Sequence, residues 1–359
     1  MKHVRLLMIG PASGPVGGAT VLFRQLVDEL RVRPDVHVCV IDTARESRSF
    51  ITSLIRPFVV LFRFAIAAPG TDVVSLHLSS LRMAFFAFFI WPFCILTRRP
   101  WLLRIFGDAS VKHRQTSAIE RVLLDWLLRR CPLLLVETHQ AAEYFQPFCR
   151  RVEWYPNNRP SKNISPTLSS NPTLRFVFIG HVTPPKGIRE IITASQTINL
   201  DFCVDVYGPL LDGIDASEFG GRVHYRGGIQ PERISAVLAS HDVLLLPTCC
   251  SAEGYPGVIL EAFAAGLPVV ATNWQAISEI VTPQNGILVE PRDAHSLASA
   301  MTHCILNRQL LTELSAGARQ TATQFSSATW TDAYVRLTTG LAQARHQLAC
   351  PRALAKLHN

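Results

Sequence analysis

Residues Glu253–Ala271 read EGYPGVILEAFAAGLPVVA. A short apolar run, Asp242–Leu246, ends just before this stretch at Pro247, and a second run, Pro268–Ala271, closes it. The pattern between them predicts a loop and then a helix opening at about Gly257. Runs of four to six apolar residues bounded by Pro and Gly are strand signals, and the longer amphipathic stretch between them is a helix signal. The unit is therefore strand, loop, helix, strand, the repeat from which parallel α/β sheets are built.

The same alternation extends in both directions. The first half predicts strands at Val4–Ile9, Val36–Ile41, Asp72–Leu78, Trp101–Phe106 and Leu133–Val136. The second half adds Leu174–Gly180, Phe202–Tyr207, Val223–Tyr225 and Gly286–Val289 to the two runs above. Between the halves, Asn157–Pro172 (NNRPSKNISPTLSSNP) has the Pro, Ser and Asn content of a linker. A chain of 359 residues, 48% hydrophobic and 17% charged, has enough apolar material for two cores and too little charge for a disordered chain. The expected fold class is α/β, with two doubly wound domains facing a cleft and ligands at the carboxyl ends of the strands. The expected divisions are 1–160, 161–325 and a final segment, 326–359.

Charge separates the halves. Residues 1–160 hold 21 Lys and Arg against 12 Asp and Glu, whereas residues 161–359 hold 14 against 15. The whole basic excess therefore lies in the first half. No aromatic-interleaved basic stripe accompanies it, so nucleic acid is not the expected partner. An anionic membrane surface is. Met83–Thr97 (MAFFAFFIWPFCILT) has no charged residue, but it is short for a span and Pro92 interrupts it. Two readings stand for it: a buried helix of the first domain, or an interfacial segment dipping into lipid. Phe50–Ala68 adds Arg56 and Arg63 to a second apolar stretch. The run Leu6–Ile9 is shorter than a signal-peptide core and reads as the first strand. Nine scattered cysteines without a CxxC pair suggest a reducing cytoplasm and exclude a zinc ribbon.

Missing motifs narrow the chemistry. There is no GxxxxGK[ST], and the segment Gly10–Gly18 (GPASGPVGG) does not satisfy GxGxxG. HExxH and GxSxG are absent too. No D-x-D pair offers a metal clamp for a nucleotide diphosphate, so any such group must be neutralised differently.

Within the opening stretch, Glu253 falls in the loop and Glu261 one turn inside the helix. Gly254 and Gly257 lack a Cβ and allow close approach to the backbone. Amides at Gly257, Val258 and Ile259 head the helix, where the dipole favours an anion. Carboxylates accept several hydrogen bonds at once, which suits sugar hydroxyls: Glu253 for a hexose, Glu261 for a ribose.

This arrangement resembles the E-x7-E motif of retaining GT-B glycosyltransferases, family 4 (group 1). Gly180-His-Val-Thr-Pro-Pro-Lys186-Gly187 resembles the family's G-R-x-x-x-x-K-G loop, with His181 in place of the arginine. The resemblance implies that Lys186 binds the donor diphosphate and, with Glu253, forms the catalytic pair. It places Gly17, Gly18, Gly180, His181, Gly254, Tyr255, Gly257, Val258, Ile259 and Glu261 around the donor. It also implies a C-terminal helix, within Phe325–Leu341, crossing back to the first domain. Its acceptor-side histidine has no counterpart in Arg104–Ser110; Asp108 is the polar substitute, and His77, ending the third strand, is expected to face the cleft. The implied activity is a hexosyltransferase reaction from a UDP- or GDP-sugar to a glycan or lipid-linked acceptor, in bacterial surface polysaccharide or lipopolysaccharide synthesis. No metal and no cofactor is expected, and the expected location is the inner face of the membrane. An epimerase or glycosyl phosphorylase of the same fold, or a non-catalytic partner subunit, remains an alternative.

Overall fold

The computed structural model describes residues 3–13, 17–44, 50–78, 85–160, 173–251 and 253–349. Two compact units result, one of Met1–Pro156 with Ser327–Asn359 and one of Asn157–Ser326.

In the first unit the strands are β1 (Val4–Gly10), β2 (Val36–Asp42), β3 (Val73–Leu78), β4 (Trp101–Ile105), β5 (Leu134–Val136) and β6 (Val152–Trp154). They form one parallel sheet in the order β2-β1-β3-β4-β5-β6. Its helices are α1 (Gly18–Arg31), α2 (Phe50–Ala67), α3 (Phe85–Leu96), α4 (Ala109–Gln115), α5 (Ala118–Leu128) and α6 (His139–Phe145). Successive strand residues point to opposite faces, so the apolar runs feed two cores. Leu7, Ile9, Val74, Leu76 and Leu103 pack with Ile90 and Cys94 of α3. Leu6, Met8, Val73 and Leu102 pack on the other side with Phe23 and Leu26 of α1.

The second unit repeats the plan. Strands β7 (Leu174–Ile179), β8 (Phe202–Tyr207), β9 (Val223–Gly227), β10 (Val243–Leu246), β11 (Val269–Thr272) and β12 (Gly286–Val289) pair in parallel in the order β12-β11-β10-β7-β8-β9. Helices α7 (Ile188–Thr197), α8 (Pro231–Ala239), α9 (Gly257–Ala264), α10 (Ala294–Leu306) and α11 (Arg308–Gln324) complete it. The last helix, α12 (Ser327–Ala349), returns to the first unit. There the Tyr334 ring is fully buried with its hydroxyl donating to Ser75 Oγ at 2.6 Å, and Trp330 packs edge-on against Trp154 and Tyr155.

Three expectations change. Strand β6 was not foreseen, because Val152-Glu-Trp154 is three half-buried residues at a sheet edge without an apolar run. The start of the expected linker is not loose: Asn157 and Asn158 are buried, and Arg159 bridges to Ser326. Residues 161–172 of that stretch, like the tail 350–359, lie outside the described residues. Of the uncharged segment Met83–Thr97, only the part from Phe85 is described, and it divides between the two readings. Ala87, Ile90 and Cys94 are core, whereas Phe89, Ile95 and Leu96 are exposed. Among the described residues no helix is long and apolar enough to cross a membrane.

Candidate active site

In an open parallel sheet, the crevice for ligands lies where the strand order reverses. In the second unit that point falls between β7 and β10, which pair directly although β8 and β9 lie between them in sequence. The loops leaving these two strands carry Lys186 and Glu253.

The loops are held in tight register. Gly187 has φ +79, and a Cβ there would lie 2.1 Å from the Pro247 carbonyl oxygen. Only glycine tolerates both the backbone angle and the approach. Next to this contact the Cys249 amide donates to the Pro185 carbonyl at 2.8 Å. The Lys186 ammonium consequently meets the Glu253 carboxylate in a close ion pair through Oε1. Thr248 Oγ1 donates to the other oxygen, Oε2, at 2.9 Å. Both side chains keep limited access to solvent, 20% for Lys186 and 15% for Glu253. The two residues that the sequence separates by 67 positions therefore form one ion pair.

Helix α9 begins at Gly257 with Pro256 as its cap residue. The Ile259 amide is taken by the Pro256 carbonyl at 3.0 Å and its side chain is buried, which corrects its assignment to the donor. Tyr255 is corrected in the same way. Its ring is buried against Phe325, and its hydroxyl donates to Glu279. Gly257 and Val258 are left at the partly exposed head of the helix, and Gly254 is buried behind them. Glu261, one turn on, accepts from Arg159 Nε at 2.6 Å. A Cβ on Gly257 would lie 1.8 Å from Arg159 Nη2, so the space left by this glycine is filled by protein. Gly180 follows directly after β7, and His181 beside it is exposed.

In the first unit, the order reverses between β1 and β3. Gly17 and Gly18 lead from β1 into α1; both are exposed, and a Cβ on either would meet nothing within 4 Å. Packing therefore does not require glycine at either position. Residues 14–16 of the same loop lie outside the described residues.

The two acceptor-side expectations are corrected. His77 is sealed inside the first unit, with its ring against Phe23, Phe106 and Tyr334 and its Nε2 2.8 Å from Ser75 Oγ. Asp108 is buried as the N-cap of α4, accepting from the Ser110 and Val111 amides and the Ser110 hydroxyl. Arg104, opposite His77 on β4, is also fully buried. Its guanidinium lies 4.4 Å over the Tyr155 ring and 4.8 Å over Phe106, so aromatic faces take the place of a carboxylate. Among the described residues, no group of three His, Cys, Asp or Glu is placed to hold a metal ion.

Sequence reasoning missed Thr248, Asn157 and Arg159. The signal for Arg159 was an arginine standing in a string whose composition otherwise read as linker.

Residues 173–307 match the family model described as glycosyl transferases group 1. A Bacillus subtilis protein named as a glycosyltransferase of teichuronic acid biosynthesis is 28% identical over 127 residues, covering 35% of this chain and 31% of that protein. A GDP-mannose-dependent phosphatidylinositol monomannoside mannosyltransferase of Mycobacterium tuberculosis is 29% identical over 171 residues, 44% of each chain. The matches thus span less than half the length of these curated relatives. Among solved structures, Anabaena HepE in complex with UDP and glucose superposes with a TM-score of 0.73 at 17% identity, covering 94% of this chain and all of that one. The fold is GT-B.

Burial, and after it the Arg104 charge, holds the His77 pKa well below its ordinary 6.5. Burial also lowers His113, partly offset by its bond to Asp125. Below pH 6.5 the unfolded chain takes up protons that these folded histidines do not, so stability is fully present above 6.5 and falls as pH drops. The melting temperature is expected to decrease between pH 7.5 and 5.5, and to decrease less in His77→Gln. Equal pH slopes for the two proteins would contradict the assignment.

Proposed function

We propose, from the match of residues 173–307 to the group 1 glycosyltransferases, that the protein moves a hexose from a UDP- or GDP-sugar to a glycan or lipid-linked acceptor, with retention at the anomeric carbon. The observation that carries this reading is the Lys186–Glu253 pair at the strand-order reversal of the second unit. The donor classes follow the UDP complex of HepE and the GDP-mannose dependence in the mycobacterial relative's name. The names of the two relatives point to bacterial surface polysaccharide or lipid-linked glycan synthesis.

In this reading the pair exchanges partners when donor arrives. The Lys186 ammonium leaves Glu253 for the diphosphate and stabilises the charge that grows there as the glycosidic bond to phosphate breaks. Glu253, still held by Thr248, accepts from hydroxyls of the hexose and fixes the ring. Gly257 and Val258 face the diphosphate at the head of α9, and Glu261 accepts from the ribose. His181 supplies an imidazole where the family carries a guanidinium, so Lys186 bears most of the neutralisation, and no metal is assigned. Gly17 and Gly18 offer bare backbone on the first unit.

The first unit, with the basic excess, is the proposed acceptor and membrane side. On α2, Phe58, Phe62 and Ile66 stand four residues apart and are 66–70% exposed, while Val60 and Phe64 are buried on the opposite side. Ile95 and Leu96 of α3 and Ile119 and Val122 of α5 are also exposed, as are Arg63, Arg98, Arg129 and Arg130. Apolar side chains beside cations suit shallow insertion into an anionic cytoplasmic leaflet.

Glu253→Ala and Lys186→Ala are each expected to lower transfer by about 10²–10³-fold while melting stays close to that of the unmodified protein. Near-normal rates in both would remove the donor-site assignment. Conversion of the nucleotide sugar without any acceptor would favour the epimerase alternative. Flotation with anionic liposomes should carry the protein upward at low salt and fail for Phe58→Ser/Phe62→Ser. Equal flotation of the two would contradict the membrane face.

A further inference from the structure

Arg159 is tied into the second unit at both ends. Its amide donates to the Phe325 carbonyl at 2.9 Å, in a bridge to Ser326. Its Nη1 donates to Asn157 Oδ1 at 2.5 Å and to the Asn158 carbonyl at 2.9 Å. Asn157 is itself fixed, through Nδ2 to the Tyr255 carbonyl at 2.8 Å. The guanidinium then lies across the first turn of α9, against Gly257, and gives Nε to Glu261 Oε1.

Helix stability does not account for this placement. A cation at a helix N-terminus opposes the macrodipole, so the site disfavours an arginine unless something else requires it there. The requirement visible in the structure is Glu261. The Arg159 side chain is 10% exposed and that of Glu261 22%, so the pair sits at the surface with the carboxylate as its more open member. Only Oε1 is engaged; among the described residues nothing donates to Oε2. A carboxylate oxygen carries two lone pairs, so Oε2 and half of Oε1 remain to accept. A lone glutamate on a helix surface samples many rotamers, and ordering it on binding costs affinity. Arg159 removes that cost by selecting one rotamer before ligand arrives.

We infer that Arg159 is a positioning residue that presents the Glu261 carboxylate to the ribose hydroxyls of the donor nucleotide, an inference resting on the donor reading above. Glycine at 257 belongs to the same device, since a methyl group there would push the guanidinium off its carboxylate.

The test is calorimetric binding of UDP, GDP and ADP, and then of the 2′-deoxy form of the tightest. The unmodified protein is expected to prefer the ribonucleotide about tenfold or more, the worth of one hydrogen bond to a charged group. In Arg159→Gln the preference should collapse to within about twofold, through weaker ribonucleotide binding, while deoxynucleotide affinity holds. Adding Glu261→Gln to that variant should then change little. Should Arg159→Gln fail to fold, Arg159→Met, which keeps the length of the side chain without the donors, is the second variant and should show the same collapse. An unchanged preference would overturn the inference and leave the donor site standing. Equal weakening of both nucleotides would overturn it too, in favour of a diphosphate contact for Arg159. No binding of any of the three by the unmodified protein would overturn the donor reading, and this inference with it.

Discussion

Two loops touch where Gly187 meets the Pro247 carbonyl, and the proposed chemistry depends on that approach. The loops leave β7 and β10, neighbours in the sheet although far apart in sequence. A Cβ at Gly187 would lie 2.1 Å from the carbonyl oxygen, so any other residue would force the loops apart. Held together, they set Lys186 against Glu253 and let Thr248 fix the second carboxylate oxygen. The pair is both charged and accessible. Each member of the pair is presented to an incoming group of the opposite kind. A diphosphate needs the cation and a sugar needs the acceptor oxygens, so one donor molecule satisfies both.

A second constraint lies one helical turn away. Arg159, Gly257 and Glu261 interlock, and the arginine comes from residues adjoining the unit boundary at Pro156. The chain that enters the second unit thus orders the helix that heads its site. The exit is tied to the same place, since Arg159 bridges to Ser326 just before α12 leaves. Entry and exit of the unit are joined beside Glu261.

Much of this was legible in the sequence, and the failures share a cause. Strand–helix alternation is written in apolar periodicity, so both sheets were foreseen except for β6, whose three residues present no apolar run. Lys186, Glu253 and Glu261 were singled out by their resemblance to a family's motifs, and the structure brings Lys186 and Glu253 into one ion pair. Tyr255, Ile259, His77 and Asp108 were misassigned because burial is a property of three-dimensional packing. Strand position alone could not reveal that Phe23 and Tyr334 close over His77. Arg159 was hidden for the opposite reason: composition described its neighbourhood as linker, whereas one side chain makes it part of the site. Arg104 belongs with these, since a buried arginine facing aromatic rings leaves no trace in charge spacing.

In the proposed reaction Lys186 and Glu253 part to receive a nucleotide donor. A crystal structure of the protein soaked with UDP or GDP tests it most directly. Phosphate oxygens are expected within hydrogen-bond distance of the Lys186 ammonium, with its contact to Glu253 broken. A nucleotide bound elsewhere, with the Lys186–Glu253 pair intact, would contradict it.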